Sequence, residues 1–287
     1  MAVVFYGMTM TTVAAPALTS TTPLKLTILM PVRNEGLNLG IMLKILAAVI
    51  SVPHEILIVY DEPDDTSLPV VRALQPHYPT VRLLHNPAGR GVANALRTGI
   101  RHAAGEYVLI FAVDDTGPVL AIDEMLRLMD DGCDLVSCTR YARGGRRLGG
   151  SWIGGLLSRI ANALFQRVTG TRLTDATTGI KMARRSALTS LRLETTTGGW
   201  AVAFELAIKA QLARWRIGEV PIVSIDRLFG GTSTFALGPW VREYLRWFLW
   251  GVAQSRCMPH VPSAAMTGPP VTVTSDQSSV PSDKVTN

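Results

Sequence analysis

Five apolar runs of four to seven residues punctuate the first half of the sequence: Leu26 to Pro31 (LTILMP), Glu55 to Tyr60 (EILIVY), Val81 to Leu84, Tyr107 to Val113 (YVLIFAV) and Asp134 to Cys138. Between them, Leu37 to Ile50, Leu68 to Gln75, Val92 to Ala103 and Ile122 to Met129 carry apolar residues at helical spacing. This alternation of strand and helix across short connections predicts βαβ units, an α/β fold with a mostly parallel sheet and helices on both faces. Strands that are apolar throughout fit burial on two sides. Ligands of such sheets bind beyond the carboxyl ends of the strands, so the residues just after each run become the functional candidates.

Those residues are mostly acidic. The first run ends in Pro31-Val32-Arg33-Asn34-Glu35, the second in Asp61-Glu62-Pro63-Asp64-Asp65-Thr66, and the fourth in Asp114-Asp115-Thr116. Acids converging on one crevice repel one another unless a cation or hydrogen-bond donors sit among them. A divalent metal on hard oxygen ligands, completed by a nucleotide diphosphate, resolves the conflict. Asp64 and Asp65 taken alone read equally well as solvated loop acids. Asn86-Pro87-Ala88-Gly89-Arg90-Gly91 opens a helix after the third run. It lacks the GK[ST] of a P-loop and the full GxGxxG spacing, but its glycines permit close backbone approach and the helix start offers free N–H groups.

Charged residues make up only 17% of the 287-residue chain and apolar ones 47%, with a mean hydropathy of +0.24; an average soluble protein is about 25% charged. No stretch reaches the roughly 18 uninterrupted apolar residues that cross a bilayer, which excludes a multi-span integral protein but not a membrane-surface one. The net charge of +6 is unevenly placed: between Arg140 and Arg185 ten Lys/Arg stand against one Asp. Such a local basic patch suits a local anionic partner, and with no recognised module beside it nucleic acid is not expected. Cys133, Cys138 and Cys257 show no zinc spacing and read as reduced thiols of a cytosolic chain. Residues 1–23 read as a disordered leader and 258–287 as a disordered tail.

Taken in order, PVRNE, VYDEPDDT, NPAGRGVANALRTG, FAVDD, TRYARGG, TDATTGIKMARR, FELAIKA, RIGEVPI and DRLFGGTS resemble glycosyltransferase family 2 of the GT-A fold. The series is similar above all to the branch of dolichyl-phosphate mannose synthases and bacterial polyprenyl-phosphate glycosyltransferases, from about Lys25 to Trp250. The resemblance implies a GT-A domain over residues 24–238 and a divalent cofactor, Mg2+ or Mn2+; residues 239–257 read from their own composition as an amphipathic interfacial helix. It implies that Pro31, Asn34, Glu35 and Asp61 cradle the base and ribose of a nucleotide sugar, while Gly89, Gly91 and Asn94 pack along the nucleotide. Val113 and Asp114 fall on the last two positions of the metal-binding DxD, whose first Asp is Ala112; Asp114 then serves as the main ligand and Asp115 as one acting through water. Arg140, Ser158 and Arg159 match phosphate-binding positions; where relatives place a further Arg this chain has Gly154, and Arg146 or Arg147 is the substitute. Asp175 and Glu205 match residues near the donor sugar, and Arg227 and Ser233 match a loop over the diphosphate.

Trp240, Tyr244, Trp247, Phe248 and Trp250 crowd the segment from Pro239 to Val252 with Arg242 and Arg246, and Ser151 to Val168 is a second amphipathic stretch. Aromatics with arginine suit a membrane interface. The expected activity is inverting transfer of a mannose- or glucose-type hexosyl group from a GDP- or UDP-sugar to a polyprenyl or dolichyl phosphate. The expected place is peripheral, on the cytoplasmic face of a membrane, and a homo-oligomer is compatible with it. The rival readings are a soluble glycan or metabolite acceptor, and an inert nucleotide-sugar binding protein.

Overall fold

The computed structural model describes residues 23–149, 152–196, 199–225 and 237–257. The expectations for the leader and the tail, and for Arg227 and Ser233, fall outside these residues. In chain order the elements are β1 (Leu26–Val32), α1 (Gly36–Val49), β2 (His54–Tyr60), α2 (Ser67–Leu74), β3 (Val81–His85), α3 (Val92–His102), β4 (Tyr107–Ile110), α4 (Ile122–Asp130) and β5 (Leu135–Thr139). There follow β6 (Arg146–Leu148), α5 (Trp152–Thr169), β7 (Lys181–Arg184), α6 (Arg185–Ser190), α7 (Ala201–Leu212), β8 (Ile217–Pro221), β9 (Val223–Ile225) and α8 (Leu237–Cys257).

Seven strands form one sheet in the order β3-β2-β1-β4-β7-β5-β8, in which only β7 runs antiparallel to its neighbours. The expected strand through Val113 stops at Ile110, because the ladder to β1 ends at the Leu29 and Ile110 pair and Phe111 N closes it on Leu29 O. Pro31 is the next β1 residue facing that side, so its missing N–H costs no ladder bond. β6 and β9, too short to be read from sequence, pair parallel as a separate two-stranded ribbon.

Helices α1 and α4 cover one face of the sheet through Leu39, Met42, Leu43, Ile122 and Met125. Helices α3, α6 and α7 cover the other through Leu96, Ile100, Leu188, Val202 and Leu206. Because α7 is buried all round, it takes a further layer on its outer side. There α5 and α8 close over it around Phe165, Phe204, Ile208 and Trp247.

This layer corrects the expected orientation of the aromatic helix. Trp247 is 2% exposed and donates from Nε1 to Thr195 Oγ1 at 2.9 Å, and Tyr244 and Phe248 pack against the same cluster. An indole and phenyl rings bury more apolar area than any aliphatic alternative, so they face inward. The outward face of α8 instead carries Val241, Leu245 and Leu249, four residues apart, and α5 presents Leu157, Ile160 and Leu164. Among the described residues no helix is long and apolar enough to cross a membrane.

Candidate active site

β1, β2 and β4 lie side by side and parallel, so the acidic turns after them share one edge of the sheet. After β1, Asn34 adopts a left-handed φ of 57° and exchanges hydrogen bonds with the turn after β2: its N–H donates to Asp65 Oδ1 at 3.1 Å, and its Oδ1 accepts Thr66 N at 3.1 Å. Glu35 N donates to Ser67 Oγ at 2.9 Å, while Glu35 Oε2 accepts from Asn38. Asp65 is therefore a buried brace and not a solvated acid, accepting Ser67 N at 2.8 Å as well.

Asp61 organises the glycine loop. Its Oδ1 accepts from Asn86 Nδ2 at 2.7 Å and its Oδ2 from Gly91 N at 2.9 Å. Gly91 holds a φ of 129°, which disfavours any side chain. Asn86, quoted in the loop motif but not singled out as a site residue, is its hub. Its Nδ2 also donates to Gly89 O, and its Oδ1 accepts from Ala88 N and Thr98 Oγ1. Asn94 donates to the carbonyls of Ala88 and Gly89 from the first turn of α3. Beside this loop opens a cavity of about 270 Å³ lined by Arg33, Asn34, Asp61, Glu62, Asp64, Asp65 and Arg90. Of the expected nucleotide-facing residues Asn34 and Asp61 line it and Pro31, Glu35, Gly89, Gly91 and Asn94 do not, while Arg33 and Arg90 add two cations to the lining.

Asp114 and Asp115 diverge in what they do. Asp115 Oδ2 accepts Ser224 Oγ at 2.6 Å, and Oδ1 accepts Ile225 N at 3.0 Å and Gly117 N at 3.2 Å. It fastens β9 to the turn, which corrects its expected part as a metal ligand acting through water. Gly117 permits the contact, since a Cβ there would stand 1.7 Å from Val223 O. Val113 is a core residue, 3% exposed, so only its backbone belongs to the site. Among the described residues no three His, Cys, Asp or Glu side chains form a metal cage. A half-buried carboxylate such as Asp114 nonetheless fits Mg2+ or Mn2+, which use one or two carboxylates and take further oxygens from substrate phosphates.

A second cluster lies after β5. Arg140 donates from Nε to Asp175 Oδ2 at 2.6 Å and from Nη2 to Oδ1 at 3.0 Å, a two-pronged pair in which Asp175 is fully buried. Burial works to raise the Asp175 carboxyl, but the Arg140 guanidinium holds it below the usual carboxylate range. With Thr177 Oγ1 also donating to Oδ1, both oxygens of Asp175 are engaged, so it acts on the site through Arg140 and not by direct contact with a sugar. Tyr141 lies between two cations, Arg140 at 5.1 Å and Arg159 at 5.7 Å from its ring centre, and its hydroxyl donates to Ser158 Oγ at 2.8 Å. Asn162 Nδ2 donates to Thr177 Oγ1 at 3.0 Å. Arg147 reaches the same helix, its Nη1 standing 3.6 Å from where a Cβ on Gly155 would be. Sequence reasoning missed Tyr141 and Asn162; the aromatic within TRYARGG was the available signal.

Glu205 is also corrected. It is fully buried on α7, accepts Glu194 N at 2.5 Å, Thr195 N at 2.8 Å and Thr195 Oγ1 at 2.7 Å, and pairs with Lys209 at 2.7 Å. Its carboxylate shapes the 193–195 loop instead of meeting a ligand. Arg97 from α3 binds the same loop through the carbonyls of Leu193 and Thr195 and touches Asn94 Oδ1 at 2.7 Å.

The family model for glycosyl transferase family 2 matches residues 27–192. Dolichol-phosphate mannosyltransferase of Pyrococcus furiosus is 24% identical over 230 residues, 78% of this chain and 62% of that protein. Undecaprenyl-phosphate 4-deoxy-4-formamido-L-arabinose transferase of Serratia proteamaculans is 27% identical over 214 residues, 73% of this chain and 62% of that protein. The chain thus spans about 62% of the length of these curated relatives. Glucosyl-3-phosphoglycerate synthase of Mycobacterium tuberculosis, solved with Mn2+, UDP-glucose and phosphoglyceric acid, superposes with a TM-score of 0.62 at 18% identity, covering 82% of this chain and 81% of that one. With the family match running from β1 past the end of α6, and a sheet and helix layers shared with these transferases, the chain belongs to glycosyl transferase family 2 and has the GT-A fold.

Proposed function

We propose that this family 2 glycosyltransferase moves a mannose- or glucose-type hexosyl group from a GDP- or UDP-sugar to a polyprenyl phosphate, with inversion at the anomeric carbon. The observation that carries the reading is Arg140, aimed by the buried Asp175 and set, like Arg159, against the Tyr141 ring after β5. Guanidinium groups fixed in this way suit a phosphate acceptor. The nucleotide lies in the cavity between Asn34, Asp61 and Arg90. A phosphate oxygen, anionic at neutral pH, attacks the anomeric carbon as the bond from that carbon to the diphosphate breaks. No strong general base is needed; orientation and charge do the work. Asp114 would hold a divalent metal, which when bound would neutralise charge on the leaving diphosphate. Arg227 and Ser233 belong to this proposal as contacts of that diphosphate.

Both curated relatives carry a polyprenyl phosphate acceptor in their names. The aliphatic rows on α5 and α8 support access from a membrane surface, with α5 carrying Ser158 and Arg159 on the same helix. The test is an assay with GDP-mannose or UDP-glucose, Mg2+ or Mn2+, and either a short polyprenyl phosphate or water-soluble phosphorylated acceptors. Lipid-linked product is expected. Turnover with soluble acceptors alone, in the manner of the mycobacterial enzyme's phosphoglyceric acid, would replace the lipid by a metabolite. Metal-dependent nucleotide binding without donor consumption would make the protein a binding module.

A further inference from the structure

Lys181 is fully buried in the middle of the sheet, on β7, where it stands opposite Ile110 of β4 and Ser137 of β5. An ammonium there is expensive, and an apolar side chain would pack the position as well. Its Nζ donates to Ser137 Oγ at 2.9 Å and to the Thr178 carbonyl at 2.7 Å. From the other side Glu219 of β8 accepts Thr174 N at 2.8 Å, Thr174 Oγ1 at 3.0 Å and Asp175 N at 3.2 Å. The loop bearing Asp175 is therefore gripped at its beginning by a carboxyl group on its N–H groups, and at its end by an ammonium on its carbonyl.

We infer that Lys181 is a positioning residue for the acceptor half of the site, closing with Glu219 a two-point clamp on the 174–178 loop that fixes where Asp175 aims Arg140. The inference rests on the reading of Arg140 as the acceptor-phosphate group; the clamp itself does not. The charged groups within electrostatic reach of Lys181 are Asp175, Glu219 and Arg140; the thiol of Cys138, next to Ser137 on β5, lies on the other face of the sheet with Ile180 and Met182. Burial pulls the Lys181 ammonium down to about 8, against the attraction of Asp175 and Glu219. Tyr244 of α8, its phenol pushed up by burial, is within electrostatic reach of the same Arg140 and Asp175. Loss of the Lys181 proton should loosen the grip on Thr178 O within the range in which the enzyme can be assayed.

The experiment compares the full-length wild type with Lys181→Met and Lys181→Arg in two measurements. Hydrogen exchange of the 175–179 amides reads the clamp without any substrate: the Met variant should exchange about tenfold faster there and unchanged in α1 and α3. Unchanged exchange in the loop overturns the inference. The pH profile of transfer reads the consequence. Wild-type kcat/KM for the acceptor should fall as pH rises through about 8, the Arg variant should lose that limb, and the Met variant should raise acceptor KM about tenfold while leaving donor KM within twofold. A donor KM that rises equally, or an alkaline limb that survives in the Arg variant, overturns it as well. If the Met variant does not fold, the Arg variant decides by its pH profile: loss of the alkaline limb supports the inference and its survival overturns it. Absence of transfer to polyprenyl phosphate by the wild type would defeat the proposed acceptor, while the exchange comparison would still decide the clamp.

Discussion

The Asp115 carboxylate holds the Ser224 hydroxyl at 2.6 Å across 109 positions of sequence, so the turn after β4 is also the anchor of β9. Its neighbour Asp114, half-buried in the same turn, is the carboxylate proposed to hold the metal. Two adjacent acids therefore predict opposite phenotypes. Asp115→Ala should cost about 1–3 kcal/mol by stranding Ser224 and Ile225, read as a Tm lowered by several degrees. Asp114→Ala should still fold and lose sugar transfer about a hundredfold or more. A stable, fully active Asp114→Ala would remove the metal assignment.

Asp175→Asn keeps the shape of the side chain but removes the charge that compensates Arg140. Breaking such a buried pair should cost about 3 kcal/mol and raise acceptor KM more than donor KM. The pH dependence follows from the sign of the shift. The folded carboxyl lies below its ordinary value of 3.8, so its stabilisation is complete above that pH and is lost as pH falls through the folded value. Thermal melts between about pH 2 and 6 should show a steeper acid loss in the wild type than in the Asn variant. Parallel curves would mean that the pair contributes nothing.

Ile160 and Leu245 are 55% and 53% exposed on the outer faces of α5 and α8. Replacing either by Glu should leave stability within about 0.5 kcal/mol, as for other surface changes. Co-sedimentation with anionic phospholipid vesicles should fall about tenfold for each, since burying one aliphatic side chain is worth about 1.5–3 kcal/mol. Undiminished sedimentation of the double variant would take the membrane contact away from this face.

Glu205→Gln should act as a folding lesion. The carboxylate accepts two amides and a hydroxyl and pairs with Lys209, so its loss should cost about 2 kcal/mol with donor KM little changed. A large rise in donor KM at unchanged Tm would restore the sugar-facing part first expected of it.

The residues that were legible in the sequence are those whose reasons are local. Apolar runs placed β1, β2, β3 and β5 to within a residue or two, and the acidic turns after β1, β2 and β4 share the sheet edge where the candidate site is built. Asp115, Glu205 and Trp247 were misread because their partners are distant in the chain: the β9 backbone, the 193–195 loop and Thr195. β7 was hidden for a different reason, since KMAR carries the charges of an exposed segment and is a central strand only because Lys181 finds Ser137 and the Thr178 carbonyl. The orientation of α8 was recoverable from its own spacing, because Val241, Leu245 and Leu249 recur every fourth residue while the aromatics drew attention.

Thr195 receives Arg97 from α3 on its carbonyl, Glu205 from α7 on its amide and hydroxyl, and the Trp247 indole from α8 on that same hydroxyl. Helix α8 is thus not an interchangeable module bolted onto a donor-binding core. A chimaera that imported a relative's α8 would bring a foreign side chain to the Thr195 hydroxyl and disturb a loop that α3 also holds through Arg97. Exchange of the last helix alone would therefore register first as a loss of stability, and the 193–195 loop has to travel with it.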